Sequence, residues 1–285
     1  MIKDLLDYYY NIKLHNTINY NINYDKTYYK NKVLIPVVFS SHYSYICFRL
    51  QIQSIYKYMK NKYHFICVDC NDEEVYSCYQ IKNYCLKNNI SYIKYPNIKN
   101  FNKKESFGIV LNWIFRNIVT LFEPRCFLFM HQDLIFKREC EVDDLCGEDS
   151  PYTFSGRRVQ SPYFSWAWHL GSEYMLYYYN HVKNMDFDFF PAPELELYDT
   201  GGTNAFKVFM FTEDWINRIR IVSAQQYSRI YDSILGSNFY TLGYNTRIHI
   251  TNSDKIFKNK DFFNSVLYKE HLFNILEKKD YDFKE

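Results

Sequence analysis

The chain reads as an α/β protein: a mostly parallel sheet with helices on both faces. Short apolar runs of strand length alternate with segments whose apolar residues recur at helical spacing. The runs are apolar at nearly every position rather than every second one, as in strands covered on both faces. Each run also stops abruptly at polar residues, as strands do where they empty into a loop.

The elements follow in order. Val33 to Phe39 is a continuous apolar strand ending in Ser40-Ser41-His42. Phe48, Ile52, Ile55 and Met59 then form one helical stripe, and Tyr63 to Val68 a second strand ending at Asp69. Val75, Cys78, Ile81 and Cys85 predict the next helix, and Ile90 to Tyr95 the third strand. A long helix through Val110, Trp113, Ile114, Ile118 and Leu121 stops at Pro124. Cys126 to Met130 is the fourth buried strand, ending in His131-Gln132-Asp133.

Beyond residue 150 the alternation fades. Tyr163 to Trp168 is aromatic, Pro191 to Glu196 is acidic, and Asp199-Thr200-Gly201-Gly202 follows. A helix is expected near Ser223 to Leu235 with Gly236 as its cap, then a short segment from Tyr244 to Ile250. The expected organisation is an N-terminal extension at 1–31, one domain at 32–253 with halves at 32–149 and 150–253, and a helical tail at 254–285. Within the extension, Ile2, Leu5 and Leu6 start a short helix that docks on the main body.

Composition narrows the function classes. Lys and Arg (34) nearly balance Asp and Glu (32), so the chain has no field that would draw it to nucleic acid, and none is expected as a partner. No run is long and apolar enough to span a membrane, and the first thirty residues carry no secretion signal; a soluble, cytoplasmic protein is the expectation. The excess of Lys, Asn, Ile, Tyr and Phe suggests an AT-rich genome, bacterial, protist or viral, the last in a host cell. It also discounts aromatic clusters as functional signals. Eight cysteines in a chain of 285 residues read as thiols rather than a disulfide framework. Cys67-Val68-Asp69-Cys70, with Cys78 and Cys85, lacks the paired spacing of a zinc site.

In a sheet of this kind ligands sit outside the carboxyl ends of the strands. Those ends carry Ser40 and His42, then Asp69, then His131 with Asp133. An imidazole and a carboxylate two positions apart on extended chain point to one side and can share a divalent cation. The plain alternative is two polar residues closing a strand. No P-loop, dinucleotide fingerprint, nucleophile elbow or H-E-x-x-H occurs.

Here the chain resembles the nucleotide-sugar glycosyltransferases of the GT-A fold, whose corresponding strand ends in D-x-D. His131-Gln132-Asp133 looks like a variant of that motif, and Asp199-Thr200-Gly201-Gly202 matches an element of a branch with H-x-D at the strand end. The resemblance implies a nucleoside diphosphate sugar in the first half, Asp133 holding the divalent ion and Asp69 contacting base or ribose. The imidazole of His131 suits Mn better than Mg. His249 sits where such enzymes place a late metal ligand, although a His between apolar residues is also commonly packed.

The remaining candidates each carry two readings. Asp199 fits a base that takes the acceptor's proton, with Glu194, Glu196 and Asp188 as rivals; otherwise the element is a turn before a helix. Ser106 lies near the donor in similar enzymes and equally suits an N-cap. Arg157 and Arg158 could meet the diphosphate or be solvated charge.

The expected function is transfer of a sugar from a UDP- or GDP-type donor to a glycan, protein or small-molecule acceptor. Catalysis falls to Asp199 or Glu194, donor binding to Ser40, His42, Asp69, Ser106 and Arg157, and the metal to Asp133, His131 and His249. The rival expectations are an inactive nucleotide- or glycan-binding domain of the same fold and a metal-dependent hydrolase.

Overall fold

Four parallel strands make the centre of the molecule: β2 (Val33–Phe39), β3 (Tyr63–Asp69), β4 (Ser91–Lys94) and β5 (Cys126–Met130), side by side in the order β4-β3-β2-β5. The computed structural model describes residues 2–40, 44–72, 76–136, 139, 154–160, 168–191, 200–201, 203–204, 207, 219–221, 229–232, 237–242 and 247–250, with the backbone alone at 154–160, 168–174 and from 219 onward.

Side chains alternate between the two faces of the sheet. Val33, Ile35, Val37 and Phe39 join Phe65, Cys67, Leu128 and Met130 in one core, under α2 (Ser44–Tyr58) and α3 (Tyr76–Lys87). Leu34, Val38, Ile66, Val68, Phe127 and Phe129 enter the other, under α1 (Ile2–Tyr10) and α4 (Lys103–Ile114). Every residue of β2 and β5 is therefore buried, which is why these runs have no polar positions.

Helix α4 starts on a capping box. The Asn102 side chain accepts from the Lys104 and Glu105 amides while Glu105 accepts from the Asn102 amide. Asn102, not Ser106, is the N-cap; Ser106 lies one turn inside. The helix runs into a π turn, Phe115–Val119, and a last turn α5 (Thr120–Phe122), before Pro124. Gly108 is a packing necessity: a β-carbon there would sit 2.5 Å from the Phe189 carbonyl oxygen.

The N-terminal segment is built into the domain. Strand β1 (Ile18–Tyr20) pairs antiparallel with β4 and extends the sheet. Helix α1 docks through Tyr9, whose carbonyl accepts from the Tyr95 hydroxyl at 2.9 Å.

On the far side, β8 (Trp168–Tyr178) pairs antiparallel with β5, followed by β7 (Phe154–Gln160) and β9 (Ile219–Ile221). A second, antiparallel sheet has the order β10-β11-β12-β6, with β6 at Leu134–Phe136, β10 at Arg229–Asp232, β11 at Ser237–Leu242 and β12 at Arg247–Ile250. The helix expected over Ser223 to Leu235 is thus corrected: Arg229 to Asp232 is a strand, its Asp232 opposite Ser237. Ile230 and Tyr231 gain a partner strand rich in Phe, Tyr and Thr. Gly236 stands between the two paired strands, a hairpin signal as much as a helix cap. The helical tail expected at 254–285 lies outside the described residues.

Candidate functional site

The central strands run outward from β2 in two directions. One β-α-β path leads through β3 to β4, and the chain then returns to place β5 on the other side. The order therefore reverses between β2 and β5, and a crevice opens there at the carboxyl ends. His131-Gln132-Asp133 forms its lip, in the turn between β5 of the large sheet and β6 of the small one. The amide of Ser40 at the end of β2 donates to Gln132 Oε1 at 3.3 Å across the gap.

That turn is held from beneath by residues that pattern reading passed over. Gln51 of α2 is fully buried; its Nε2 donates to the carbonyls of His131 at 2.7 Å and Leu134 at 3.1 Å. The Leu134 amide donates to the His131 carbonyl at 3.2 Å. One turn on, Ser54 Oγ donates to the Gln51 carbonyl and accepts from the Phe136 amide. The signal lay in the sequence: Gln51 and Ser54 are polar residues amid the apolar stripe Phe48, Ile52, Ile55.

His131 and Asp133 share one side of the turn, with Nδ1 and Oδ1 4.0 Å apart and side chains 30% and 14% exposed. The Phe107 ring meets His131 edge-on, centroids 5.1 Å apart. Two donors of one cation, each about 2.1 Å away, span up to about 4.2 Å, so the pair fits a shared divalent ion. Among the described residues no third His, Cys, Asp or Glu joins them. The backbone does bring His249 close: in β12 it stands in register opposite Leu134, next to Asp133 in sequence.

From this lip a cavity of about 450 Å³ crosses the ends of all four parallel strands. Its wall runs from Gln132 past Ser40 to Cys70, Asn71 and Asp72 after β3 and to Asn97 and Ile98 after β4. Phe101, Lys103, Ser106, Phe107 and Val110 close it along α4. The Lys103 ammonium favours an anion there, while the first-turn amides of α4 are taken up by its capping box. Apolar rings with a few polar groups are the usual lining of a small-molecule site, and the volume is in the usual range.

Asp69 has a different place from the one expected of it. Its carboxylate is wholly buried under the cavity rim. Oδ1 accepts from the Asn71 amide at 2.9 Å and from Asn71 Nδ2 at 2.8 Å, and Oδ2 accepts from the Tyr92 hydroxyl at 3.0 Å. Lys94 Nζ lies 3.8 Å from Oδ1 and donates to the Asn71 carbonyl. Burial, then the Asp69 charge, push the Tyr92 hydroxyl far above its ordinary range, so it stays a donor. Asp69 thus grips Asn71 and reaches the cavity only through it.

The other expected residues fall as follows. Ser40 and Ser106 line the cavity, and Ser106 Oγ also donates to the Phe101 carbonyl at 3.4 Å. Arg157 sits at a register shift in β7, between Gly156, paired with Met175, and Arg158, paired with Leu170. Tyr174 pairs with Met130, so this irregularity is level with the carboxyl end of β5, on the same edge as His131.

Asp199, Glu194 and His42 lie outside the described residues, yet Asp199's neighbour is well placed. Thr200 is buried and donates to the Lys104 carbonyl at 3.1 Å, at the start of α4. Gly201 has φ +76° and would press a β-carbon to 3.1 Å from the Phe189 ring, so glycine is required on both counts. Asp188, a rival base, is taken up by Asn112, whose Nδ2 donates to it at 2.6 Å. Cys67, Cys70, Cys78 and Cys85 are buried free thiols, and burial first, then the Asp69 charge, push the Cys70 thiol up.

No protein-family model matches the chain, and no curated protein matches it by sequence. Structural comparison finds similarity to a mannosyltransferase of Pyrobaculum calidifontis solved with GDP-Man and Mn2+, at 13% identity and TM-score 0.44, over 78% of this chain and 63% of that one. Mouse xyloside xylosyltransferase 1 aligns at 9% identity and TM-score 0.40, over 67% and 84% of the two chains. The glycosyltransferase GlyE of Streptococcus pneumoniae aligns at 12% and 0.39, over 69% and 46%. The chain thus spans less than two thirds of the length of the mannosyltransferase.

Proposed function

We propose that the protein is a nucleotide-sugar-dependent glycosyltransferase of the GT-A type, with 32–149 as the donor half and 150–253 as the acceptor half. The observation that carries this reading is the cavity of about 450 Å³ running across four parallel strand ends to the His131-Gln132-Asp133 lip. A nucleoside lies along the strand ends and directs its diphosphate toward the lip. Asp133 and His131, with His249 as the third ligand, would hold a divalent cation, Mn in preference to Mg because of the imidazole. When bound, that ion neutralises charge developing on the leaving diphosphate.

The chain's own groups do the rest. Gln51 fixes the turn that carries both ligands, in the way outer residues orient metal ligands. Lys103 and Arg157 bind the phosphates, and Ser40 and Ser106 contact the donor. Thr200 pins the Asp199 segment to α4, so Asp199 is the first candidate for the base that takes the acceptor's proton, with Glu194 second.

The test is a thermal-shift series of UDP- and GDP-sugars with and without Mn, on the unaltered chain and on Asp133→Ala. A ligand that binds only the folded state raises the melting temperature in step with its affinity. The reading expects a Mn-dependent shift with one donor class that vanishes in Asp133→Ala. A shift retained in that variant would remove Asp133 from the site.

A further inference from the structure

A second cavity of about 330 Å³ adjoins the first at its far end. The two meet on Asn71, Asp72 and Asn97, which line both. Its outer wall comes from the N-terminal segment, through Ile12, Asn16, Thr17 and Ile18, held in place by the pairing of β1 with β4. The inner wall is the ledge at Asn71, which Asp69 and Lys94 hold through hydrogen bonds.

The chemistry of this end differs from that of the lip. Lys94, the ammonium on its wall, is engaged by Asp69 and the Asn71 carbonyl, so it is not set up to take a phosphate. Among the described residues the side chains of Asn16, Asp72 and Asn97 make no hydrogen bond, and all three are exposed. The cavity therefore offers a carboxylate and two amides between the apolar Ile12 and Pro96. Such a lining suits a flat neutral group that presents hydrogen-bond donors along one edge.

Position suggests which group this is. β4 stands three strands from β5, about 14 Å at roughly 4.8 Å per strand. A nucleoside whose diphosphate reaches the His131 lip thus turns its base toward β4. A pyrimidine ends at the shared wall, whereas a purine extends one ring further. Guanine then presents N1–H and the N2 amino group side by side, the pair of donors that one carboxylate accepts together. Uracil has a single N–H between two carbonyls, which would face the carboxylate oxygens with lone pairs.

We infer that the second cavity is a guanine-selective extension of the donor site, with Asp72 reading the donor edge of the base and Asn16 and Asn97 flanking it. This rests on the donor site proposed above. The test is equilibrium binding of GDP and of UDP, each with Mn, to the unaltered chain, to Asp72→Asn and to Asn16→Trp. GDP is expected to bind at least about tenfold more tightly than UDP, as one bidentate base contact discriminates. Asp72→Asn should collapse that ratio to within about twofold, weakening GDP and relieving the repulsion that uracil's carbonyls meet, and Asn16→Trp, by filling the cavity, should weaken GDP and spare UDP. UDP binding as tightly as GDP, or a ratio unmoved by Asp72→Asn, overturns the inference and leaves the donor site standing. Binding of neither nucleotide overturns the donor site itself, and the inference with it.

Discussion

Two strand ends that look alike in the sequence have different surroundings in the molecule. β3 and β5 are both apolar runs with a carboxylate at or just past the end, Asp69 closing one and Asp133 three residues beyond the other. Asp69 is sealed at 0% exposure with Asn71, Tyr92 and Lys94 around it. Asp133 stands in the turn after β5, its side chain 14% exposed, 4.0 Å from His131. A carboxylate whose lone pairs are filled from inside positions its neighbours; one within reach of an imidazole is the candidate for a cation. Burial and partners, not the residue type, separate the two carboxylates.

The largest test of that contrast sets the two aspartates against each other. Asp133→Ala should cut sugar transfer by about 100-fold or more, the scale of losing a metal ligand. It should leave the urea midpoint nearly where it was. Asp69→Ala should do the reverse in kind: about 3 kcal/mol of unfolding free energy lost, because Lys94, the Asn71 amide and the Tyr92 hydroxyl are left without their buried acceptor. An Asp69 variant as stable as the unaltered chain, yet unable to bind donor, would erase the distinction.

Gln51→Leu sharpens it at the lip. The substitution keeps the volume within α2 but leaves the His131 and Leu134 carbonyls without their shared donor, costing about 2 kcal/mol of stability. Because those carbonyls fix the turn, Mn affinity should also fall about tenfold, the effect of an outer residue that orients metal ligands. Stability loss with unchanged Mn binding would make Gln51 a core residue only.

The fold was legible where burial on both faces leaves an unbroken apolar run, and β2 and β5 have the bounds that their composition implies. The lip was legible for the same reason, since His131 follows the last buried residue. What escaped depends on contacts remote in sequence. Asp69's role is set by Tyr92 and Lys94 from the neighbouring strand, and no spacing rule predicts which side of β3 its carboxylate finds them. The Gln51 clamp spans about eighty positions to the turn it holds. Arg229 to Asp232 misled because a Gly after an amphipathic stretch marks a helix end and a hairpin equally well, and only a partner strand decides. Asn102 and Glu105 have capping-box spacing, and Ser106 one turn inside suits a cap equally well by residue type, so only the hydrogen bonds decide between them.

The smallest effect concerns the amino end of β3, where a second histidine supplies a control for His131. His64 is partly buried; its Nε2 lies 2.9 Å from Ser91 Oγ and its Nδ1 3.3 Å from the Tyr28 hydroxyl. Desolvation first, then the charge of Lys32, push its pKa down to about 4. In the unfolded chain the imidazole takes a proton near pH 6.5, so between there and about 4 the unfolded state binds more protons and stability falls as pH falls. Above pH 6.5 both states are neutral and the term is absent. With the partial exposure of the ring, the slope should be no more than about 1 kcal/mol per pH unit. Urea melts at pH 7, 6 and 5 should show a shallower decline in His64→Gln, which cannot charge, than in the unaltered chain. Parallel declines would mean that His64 takes its proton as readily in the fold as in the unfolded chain, so its burial beside the N-terminal segment costs it nothing.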